Sequence, residues 1–355
     1  RETKRLKANF EGGINTILIS PRRWGKTSLV KHVCQLLDRE KVIPVFLDLF
    51  TCRSEYDFYN ALATAVLKQT ASPADRWMDN ARDFLMRLTP KISISPEPTS
   101  DFALSLGITP KTHTPEEILQ LAETIAIRKQ KRIVICIDEF QQIGEFPDSL
   151  NVQKRLRSVW QHQQWTSYCL FGSKKHLMSS IFQRRNMPFY QFGDTIFLKR
   201  LSQEEWTAYI ISHFEESQRH ISVEQAVRIC ELVDYYSAYV QQLCWIIFVN
   251  MKEGDSVTDT MIDAALSDLL DSNELLFMQQ TESLTTYQMN FLRAVVSGIH
   301  KDFGEKEIRE GFDLGSSSNI IRLKNALIAR DLIDMDGRDI TITDPVFAIW
   351  FKKRV

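Results

Sequence analysis

Short apolar runs recur through the first half of the chain, and stretches of helical periodicity separate them. The runs occupy residues 14–19, 42–49, 131–138, 166–173 and 195–198. A short run that is apolar throughout, rather than at every second position, is typical of a strand buried on both faces. The pattern therefore predicts an α/β fold with a parallel five-stranded sheet.

Helices are predicted around these strands over residues 2–10, 56–68, 75–88, 115–129 and 152–162. Between the second and third strands the periodicity changes to two alternating segments, which are separated by a turn rich in Pro and Ser. This change predicts a β-hairpin inserted at about residues 90–110.

The second half of the chain is predicted to form two further domains. Residues 202–278 are helical in pattern throughout, which predicts an all-α lid. After residue 285, three helical segments precede two short strands around an Asp-Gly turn, and this order predicts a winged helix. The predicted domains are a core over 1–201, a lid over 202–283 and a winged helix over 284–355.

Composition limits the classes of function. A chain of 355 residues with 44% apolar and 25% charged residues is typical of a globular protein with two or three domains. The net charge of −1 provides no overall attraction to nucleic acid or to anionic lipid. The six cysteines lack C-x-x-C spacing and no apolar run is long enough to cross a membrane, so we expect reduced thiols, a cytoplasmic location and no membrane partner.

A phosphate-binding loop is predicted directly after the first strand. The pattern G-x-x-x-x-G-K-[ST] is met except at its first position, where serine replaces glycine. A strand before the loop and a helix after it provide the required context, because backbone N–H groups and the helix N-terminus then surround a phosphate. The predicted nucleotide-binding residues are Ser20, Pro21, Arg22, Arg23, Trp24, Gly25, Lys26, Thr27 and Ser28. The alternative is an ordinary basic turn between strand and helix.

Two residues of the loop have predicted chemical roles. Lys26 would neutralise the β- and γ-phosphates, and the Thr27 hydroxyl would bind Mg²⁺.

Two adjacent carboxylates, Asp138 and Glu139, end the third predicted strand. Phosphoryl transfer requires one carboxylate to hold hydrated Mg²⁺ and another to orient and polarise the attacking water. We assign Asp138 the first role and Glu139 the second, because ligands bind at the carboxyl ends of strands in open α/β sheets. The alternative is that the pair only caps the following helix.

These motifs together resemble AAA+ and STAND-type P-loop ATPases, and in particular the archaeal-type ATPase family. The resemblance covers nearly the whole chain and rests on residues 21–29, on Ile137-Asp138-Glu139-Phe140-Gln141, on Phe171-Gly172-Ser173 and on residues 342–350. It implies a P-loop NTPase fold, ATP as the nucleotide and Ser173 as the sensor-1 residue near the γ-phosphate. Ser173 could equally cap the next helix.

The chain departs from the family at two sensor positions. Relatives often carry arginine where this chain has Phe192, and they usually carry proline in the lid where it has Ser237. Both departures put nucleotide sensing by the lid in doubt. Arg184 and Arg185 are candidates for an arginine finger that reaches a neighbouring subunit, and the alternative is a solvated pair at a helix end.

The predicted winged helix allows two kinds of partner. Ser316, Ser317, Ser318, Asn319, Arg322 and Lys324 would lie on the presented helix, with Arg338 on the wing. Acidic and basic residues are nearly equal in number after residue 285, and a balanced domain is a weak binder of duplex. DNA binding and a protein-docking or autoinhibitory role both stay open.

Three functional hypotheses follow. The first is an ATP-hydrolysing switch, which binds ATP or ADP with Mg²⁺ and acts on a protein partner or on a second copy of itself. The second is an initiator-like DNA-binding ATPase. The third is a nucleotide-binding scaffold with negligible turnover, which the departures at Ser20, Phe192 and Ser237 would suit.

Overall fold

The computed structural model describes residues 1–71 and 114–354, which form two compact units, Arg1–Lys199 and Arg200–Val355. The hairpin predicted near residues 90–110 and the helix predicted over residues 75–88 lie outside the described residues.

The first unit contains a five-stranded sheet in which all neighbouring strands are parallel. Its strands are β1 (Thr16–Ile19), β2 (Val42–Asp48), β3 (Arg132–Asp138), β4 (Thr166–Gly172) and β5 (Asp194–Phe197), in the order β2-β3-β4-β1-β5. The predicted parallel five-stranded α/β sheet is confirmed. Pro44 lies in β2, at the edge of the sheet, where the absence of a backbone N–H is tolerated.

Seven α-helices are described in this unit. They are α1 (Glu2–Gly12), α2 (Lys26–Gln35), α3 (Glu55–Thr70), α4 (Pro115–Leu119), α5 (Leu121–Lys129), α6 (Ser149–Trp160) and α7 (Lys175–Phe182), and a 3₁₀ helix covers Phe140–Glu145. The helix predicted over residues 115–129 is thus two helices that meet at Gln120. Thr114 and Glu117 form a capping box at the start of α4, with Pro115 at the first helical position.

Both faces of the sheet are buried, as continuous apolar strands require. Along β3, Ile133, Ile135 and Ile137 belong to one hydrophobic cluster, while Val134 and Cys136 belong to the cluster on the opposite face. Burial of each aliphatic side chain contributes about 1.5–3 kcal/mol. With both faces covered, the ends of the strands are the places where polar side chains can converge.

The second unit is helical except for one hairpin. Its elements are α8 (Gln203–Glu216), α9 (Val223–Leu232), α10 (Ser237–Val249), α11 (Asp259–Glu282), α12 (Thr286–Val296), α13 (Lys306–Gly311), α14 (Ser317–Ala329), β6 (Ile333–Asp336), β7 (Asp339–Ile342) and α15 (Pro345–Arg354). The strands β6 and β7 pair antiparallel around Gly337. Three helices and a hairpin therefore follow one another as the sequence predicts, while the domain bounds and the winged-helix assignment stay predictions.

Helix α15 was not predicted. It begins after Asp344, whose Oδ1 accepts hydrogen bonds from the backbone N–H groups of Val346 at 3.0 Å and Phe347 at 3.1 Å. Asp344 followed by Pro345 is a helix start signal that the sequence does contain.

All six cysteines are free thiols. Among the described residues, no helix combines the length and the apolar character that a membrane crossing needs.

Candidate functional site

Three polar segments follow neighbouring parallel strands at the same edge of the sheet. The loop from Ser20 follows β1, Asp138 ends β3, and Ser173 follows β4 directly. Because β4 lies between β1 and β3, these three positions are adjacent in space. The sheet order thus brings together the two motifs that the sequence places more than a hundred residues apart.

The loop between β1 and α2 has the backbone of an anion-binding nest. Gly25 has φ 83° and Arg23 has φ 63°, so both lie in the left-handed region. Left-handed residues that alternate with right-handed ones turn successive backbone N–H groups toward one point. A Cβ at Gly25 would meet no atom within 4 Å, so glycine is favoured there by its φ angle and not by lack of space. Helix α2 begins at Lys26 and adds its N-terminal partial charge.

Ser20 occupies the position where the common pattern has glycine. Its φ is not in the left-handed region, so the backbone does not require glycine. The side chain is buried, and its Oγ donates to the carbonyl of Pro21 at 3.2 Å. This departure from the pattern is therefore compatible with the loop.

Lys26 is a buried cation, with 6% of its surface exposed. Its Nζ donates to the carbonyl oxygens of Pro21 at 2.9 Å and Ser20 at 3.3 Å. Burial lowers the pKa of this ammonium to about 8, although the Glu139 and Asp138 carboxylates oppose the shift. A buried ammonium held by neutral carbonyls is suited to receive an anion.

Thr27 and Asp138 contact each other directly. The Thr27 hydroxyl donates to Asp138 Oδ2 at 2.6 Å, and the backbone N–H of Glu139 donates to Asp138 Oδ1 at 2.8 Å. Burial raises the pKa of the Asp138 carboxyl above its usual value, and the hydrogen bond from Thr27 opposes the shift. An adjacent hydroxyl and carboxylate are the hard oxygen ligands that Mg²⁺ prefers, so the residues present fit this ion.

The Glu139 carboxylate is held at the end of β4. Its backbone has φ 52°, and its Oε2 accepts a hydrogen bond from the Ser173 hydroxyl at 3.1 Å. The side-chain amide of Gln141 donates to the same oxygen. Of the three residues with predicted catalytic roles, Glu139, Lys26 and Ser173, the first and the last are therefore in direct contact.

The other candidate residues are more exposed. Arg22 and Arg23 in the loop and Ser28 in α2 are exposed, and Pro21 and Trp24 are half-buried. Arg184 and Arg185 are exposed just beyond α7, so the arginine-finger hypothesis stays a prediction.

Phe192 belongs to the hydrophobic core. Its ring packs on Trp160, Tyr168 and Phe189, and the guanidinium of Arg157 lies 4.8 Å from its centroid. Phenylalanine at this position therefore serves packing.

Two residues at the site were not assigned a role from the sequence. Gln141 contacts Glu139, and Asp48 lies beside Asp138 in the register of β2 and β3. Asp48 is a polar residue near the end of the strand predicted over residues 42–49, and that position is a signal that the sequence does contain. Nothing in the local pattern around Gln141 indicates where its amide points.

The chain resembles solved structures along almost its full length, although no protein-family model matches it and no curated protein gives a significant match. The Walker-type ATPase PABY2304 of Pyrococcus abyssi is 17% identical with a TM-score of 0.71, over 99% of this chain and 94% of that chain. The Aeropyrum pernix ORC2 protein, solved in ADPNP–ADP complexes, is 13% identical with a TM-score of 0.56, over 99% and 93%. The Aeropyrum pernix ORC1 protein, solved in complex with DNA, is 11% identical with a TM-score of 0.50, over 99% and 91%.

Likeness at such low identity shows the fold. Together with the strand order, it shows that the chain shares the α/β fold of these solved structures.

Proposed function

We propose that this protein is an ATP-dependent switch of the AAA+ or STAND type, which binds ATP with Mg²⁺ and hydrolyses the nucleotide slowly. The observation that carries the proposal is the direct contact between Thr27 and Asp138, next to a Glu139 carboxylate that Ser173 orients. These side chains have the chemistry that phosphoryl transfer to water requires, and they meet beside a phosphate-binding loop.

Each residue of the site has one task in this proposal. The N–H groups of the loop around Gly25 bind the β-phosphate, and Lys26 neutralises charge on the β- and γ-phosphates. Thr27 and Asp138 hold Mg²⁺, which when bound supplies positive charge to the phosphate oxygens. Glu139 accepts a hydrogen bond from the attacking water and orients it. Ser173 keeps the Glu139 carboxylate in place.

Contacts within the second unit support a lid and a C-terminal segment that move together. The Tyr236 hydroxyl donates to the carbonyl of Thr343, and the Tyr239 hydroxyl donates to Asp344 Oδ2 at 2.5 Å. Both tyrosines are buried, and they flank the start of α10 in the predicted lid. We call these two contacts the tyrosine latch. A lid displaced by ATP would carry α15 with it through the latch.

An initiator-like DNA-binding ATPase is the second candidate. It draws support from the likeness to the ORC1 protein, which was solved in complex with DNA, and from the helices and hairpin after residue 285. A scaffold with negligible turnover is the third candidate.

The test is steady-state ATP hydrolysis by the full chain with Mg²⁺, with and without duplex DNA. We expect slow turnover that DNA does not stimulate. Glu139→Gln should bind ATP normally and lose turnover by roughly 100-fold or more, because the water loses its orienting carboxylate. Lys26→Ala should lose ATP binding.

The matched control is Glu145→Gln, since Glu145 is an exposed carboxylate six residues away that pairs with Lys174. This variant should hydrolyse ATP at the parent rate. Unchanged turnover in Glu139→Gln would contradict the role of Glu139. Stimulation by DNA would favour the initiator-like function, and a complete lack of turnover would favour the scaffold.

A further inference from the structure

The two oxygens of the Glu139 carboxylate have different surroundings. Oε2 accepts hydrogen bonds from both the Ser173 hydroxyl and the Gln141 amide. Across residues 1–71 and 114–354, the hydrogen bonds to this carboxylate reach Oε2, and none reaches Oε1. A carboxylate oxygen has two lone pairs, so two donors saturate Oε2 and leave Oε1 as the acceptor.

Gln141 has little freedom to move. It is completely buried, and its amide oxygen fits against Gly172, where a Cβ would lie 1.8 Å from that oxygen. Any other residue at position 172 would therefore displace the Gln141 amide. Gly172 also precedes Ser173, so the end of β4 both supplies one donor to Glu139 and leaves room for the other.

This arrangement carries a cost in stability. The Gln141 amide oxygen is buried and accepts no hydrogen bond from the described residues. An unsatisfied buried acceptor destabilises the folded state. Glu139 adds a left-handed backbone, which is unfavourable for a residue with a Cβ. Strain concentrated at one carboxylate is typical of a functional site.

We propose that Gln141 is a positioning residue for ATP hydrolysis. With Ser173 it fixes Oε2 of Glu139, and this leaves Oε1 to face the attacking water. The water oxygen bonds to the γ-phosphorus while the bond from that phosphorus to the bridging oxygen breaks. The electron pair of the broken bond leaves with ADP, and a water proton passes to Oε1. This inference rests on the proposed ATPase function.

The test is the variant Gln141→Met, which keeps the length of the side chain and removes its donor. We expect kcat to fall roughly 10- to 100-fold while KM and the affinity for ATP stay unchanged, since the donor acts only on the water-orienting carboxylate. The matched control is Gln142→Met. Gln142 is the next residue and is also buried, and its replacement should leave kcat within about twofold of the parent.

A second measurement shows whether Gln141 acts through Glu139. In a Glu139→Gln background, Gln141→Met should lower the residual rate no further, because the carboxylate that it positions is gone. An unchanged kcat in Gln141→Met would overturn the inference. Equal losses in both backgrounds would also overturn it, as would a joint fall of kcat, ATP affinity and melting temperature. If the parent protein shows no turnover, the proposed ATPase function fails and this inference fails with it. If the parent hydrolyses ATP and Gln141→Met does so at the same rate, only this inference fails.

Discussion

The predicted phosphate-binding loop and helix α14 both carry polar side chains, yet these side chains are held in opposite ways. At the loop, Lys26 and Ser20 are buried, and Asp138 and Glu139 receive hydrogen bonds from neighbouring elements. On α14, the polar residues are mostly exposed and contact one another along the same helix. Ser316 contacts Ser318 at 2.9 Å in this way.

The basic side chains of the loop and of α14 also differ in the groups that they contact. Within the described part of the chain, Lys26 donates to two neutral carbonyls, whereas Arg322 donates to Asn319 on its own helix at 2.9 Å. Lys324 lies 5.5 Å from the centroid of the Phe303 ring. A desolvated cation interacts strongly with an anionic ligand, and a solvated or already engaged one interacts weakly. We therefore expect large effects of substitution at the loop and small effects at α14.

The largest expected effect is the pH dependence of ATP affinity. The pKa of Lys26 is about 8 in the free protein, and bound phosphates favour its charged form and raise that pKa. Below pH 8 the ammonium is charged with or without ATP, so affinity does not change through this group. Above pH 8 binding must take up a proton, and the affinity should fall by about tenfold per pH unit until the pKa of the bound state is reached.

Calorimetric titration with ATP and Mg²⁺ at pH 7, 8, 9 and 9.5 measures this decline. Repeating the titration at pH 9 in two buffers of different ionisation enthalpy measures the proton uptake. Lys31→Met is the control, because Lys31 is exposed on α2 and its replacement should keep the decline. A constant affinity from pH 7 to 9.5 would show that burial does not lower the pKa of Lys26 to about 8 in the free protein.

The next effect concerns the tyrosine latch, where buried polar groups of the second unit serve stability. Asp344 caps α15 with Oδ1 and accepts from Tyr239 with Oδ2. Asp344→Ala should lower the free energy of unfolding of this unit by about 2 kcal/mol, because it removes a helix cap and a hydrogen bond to the Tyr239 hydroxyl. Tyr239→Phe should cost about 1 kcal/mol, since the cap remains.

Urea denaturation of the full chain and hydrogen exchange of the α15 amides measure the two losses. Asp271→Ala is the control, since Asp271 is exposed within α11 and its replacement should change neither reading. Equal stability of Asp344→Ala and the parent would show that the latch does not hold the C-terminal helix.

Much of the first unit could be predicted from the sequence because its signals are local. Each strand is a continuous apolar run, and the phosphate loop and the Asp138-Glu139 pair each lie within a few residues of a strand end. The sheet order could not be read in this way, because it depends on packing of the whole domain. The contact between Gln141 and Glu139 could not be predicted either, because it depends on the absence of a side chain at Gly172.

Long-range polar contacts were beyond prediction for a related reason. Tyr239 and Asp344 are 105 residues apart, and neither shows which partner it meets. The serine at position 20 weakens the match to the phosphate-loop pattern. It does not disturb the backbone, because the φ angle there suits any residue.

The smallest expected effect is on the affinity for duplex DNA, and it tests the exposed polar residues of α14. Arg322, Lys324 and Arg338 are the cations that the winged-helix hypothesis would place near phosphates. Asn319 and the Phe303 ring already engage the first two. Replacing Arg322 by Ala should therefore weaken duplex binding less than about threefold, and it should change the salt slope by less than the value of about 0.9 that one phosphate contact contributes. Fluorescence anisotropy with a labelled duplex at several salt concentrations measures both quantities, with Asn325→Ala as the control on the same helix.

A tenfold loss of affinity in Arg322→Ala, with a salt slope reduced by about one, would mean that α14 releases its internal contacts to bind phosphate. The exposed helix would then be a second binding site, and the initiator-like function would replace the switch.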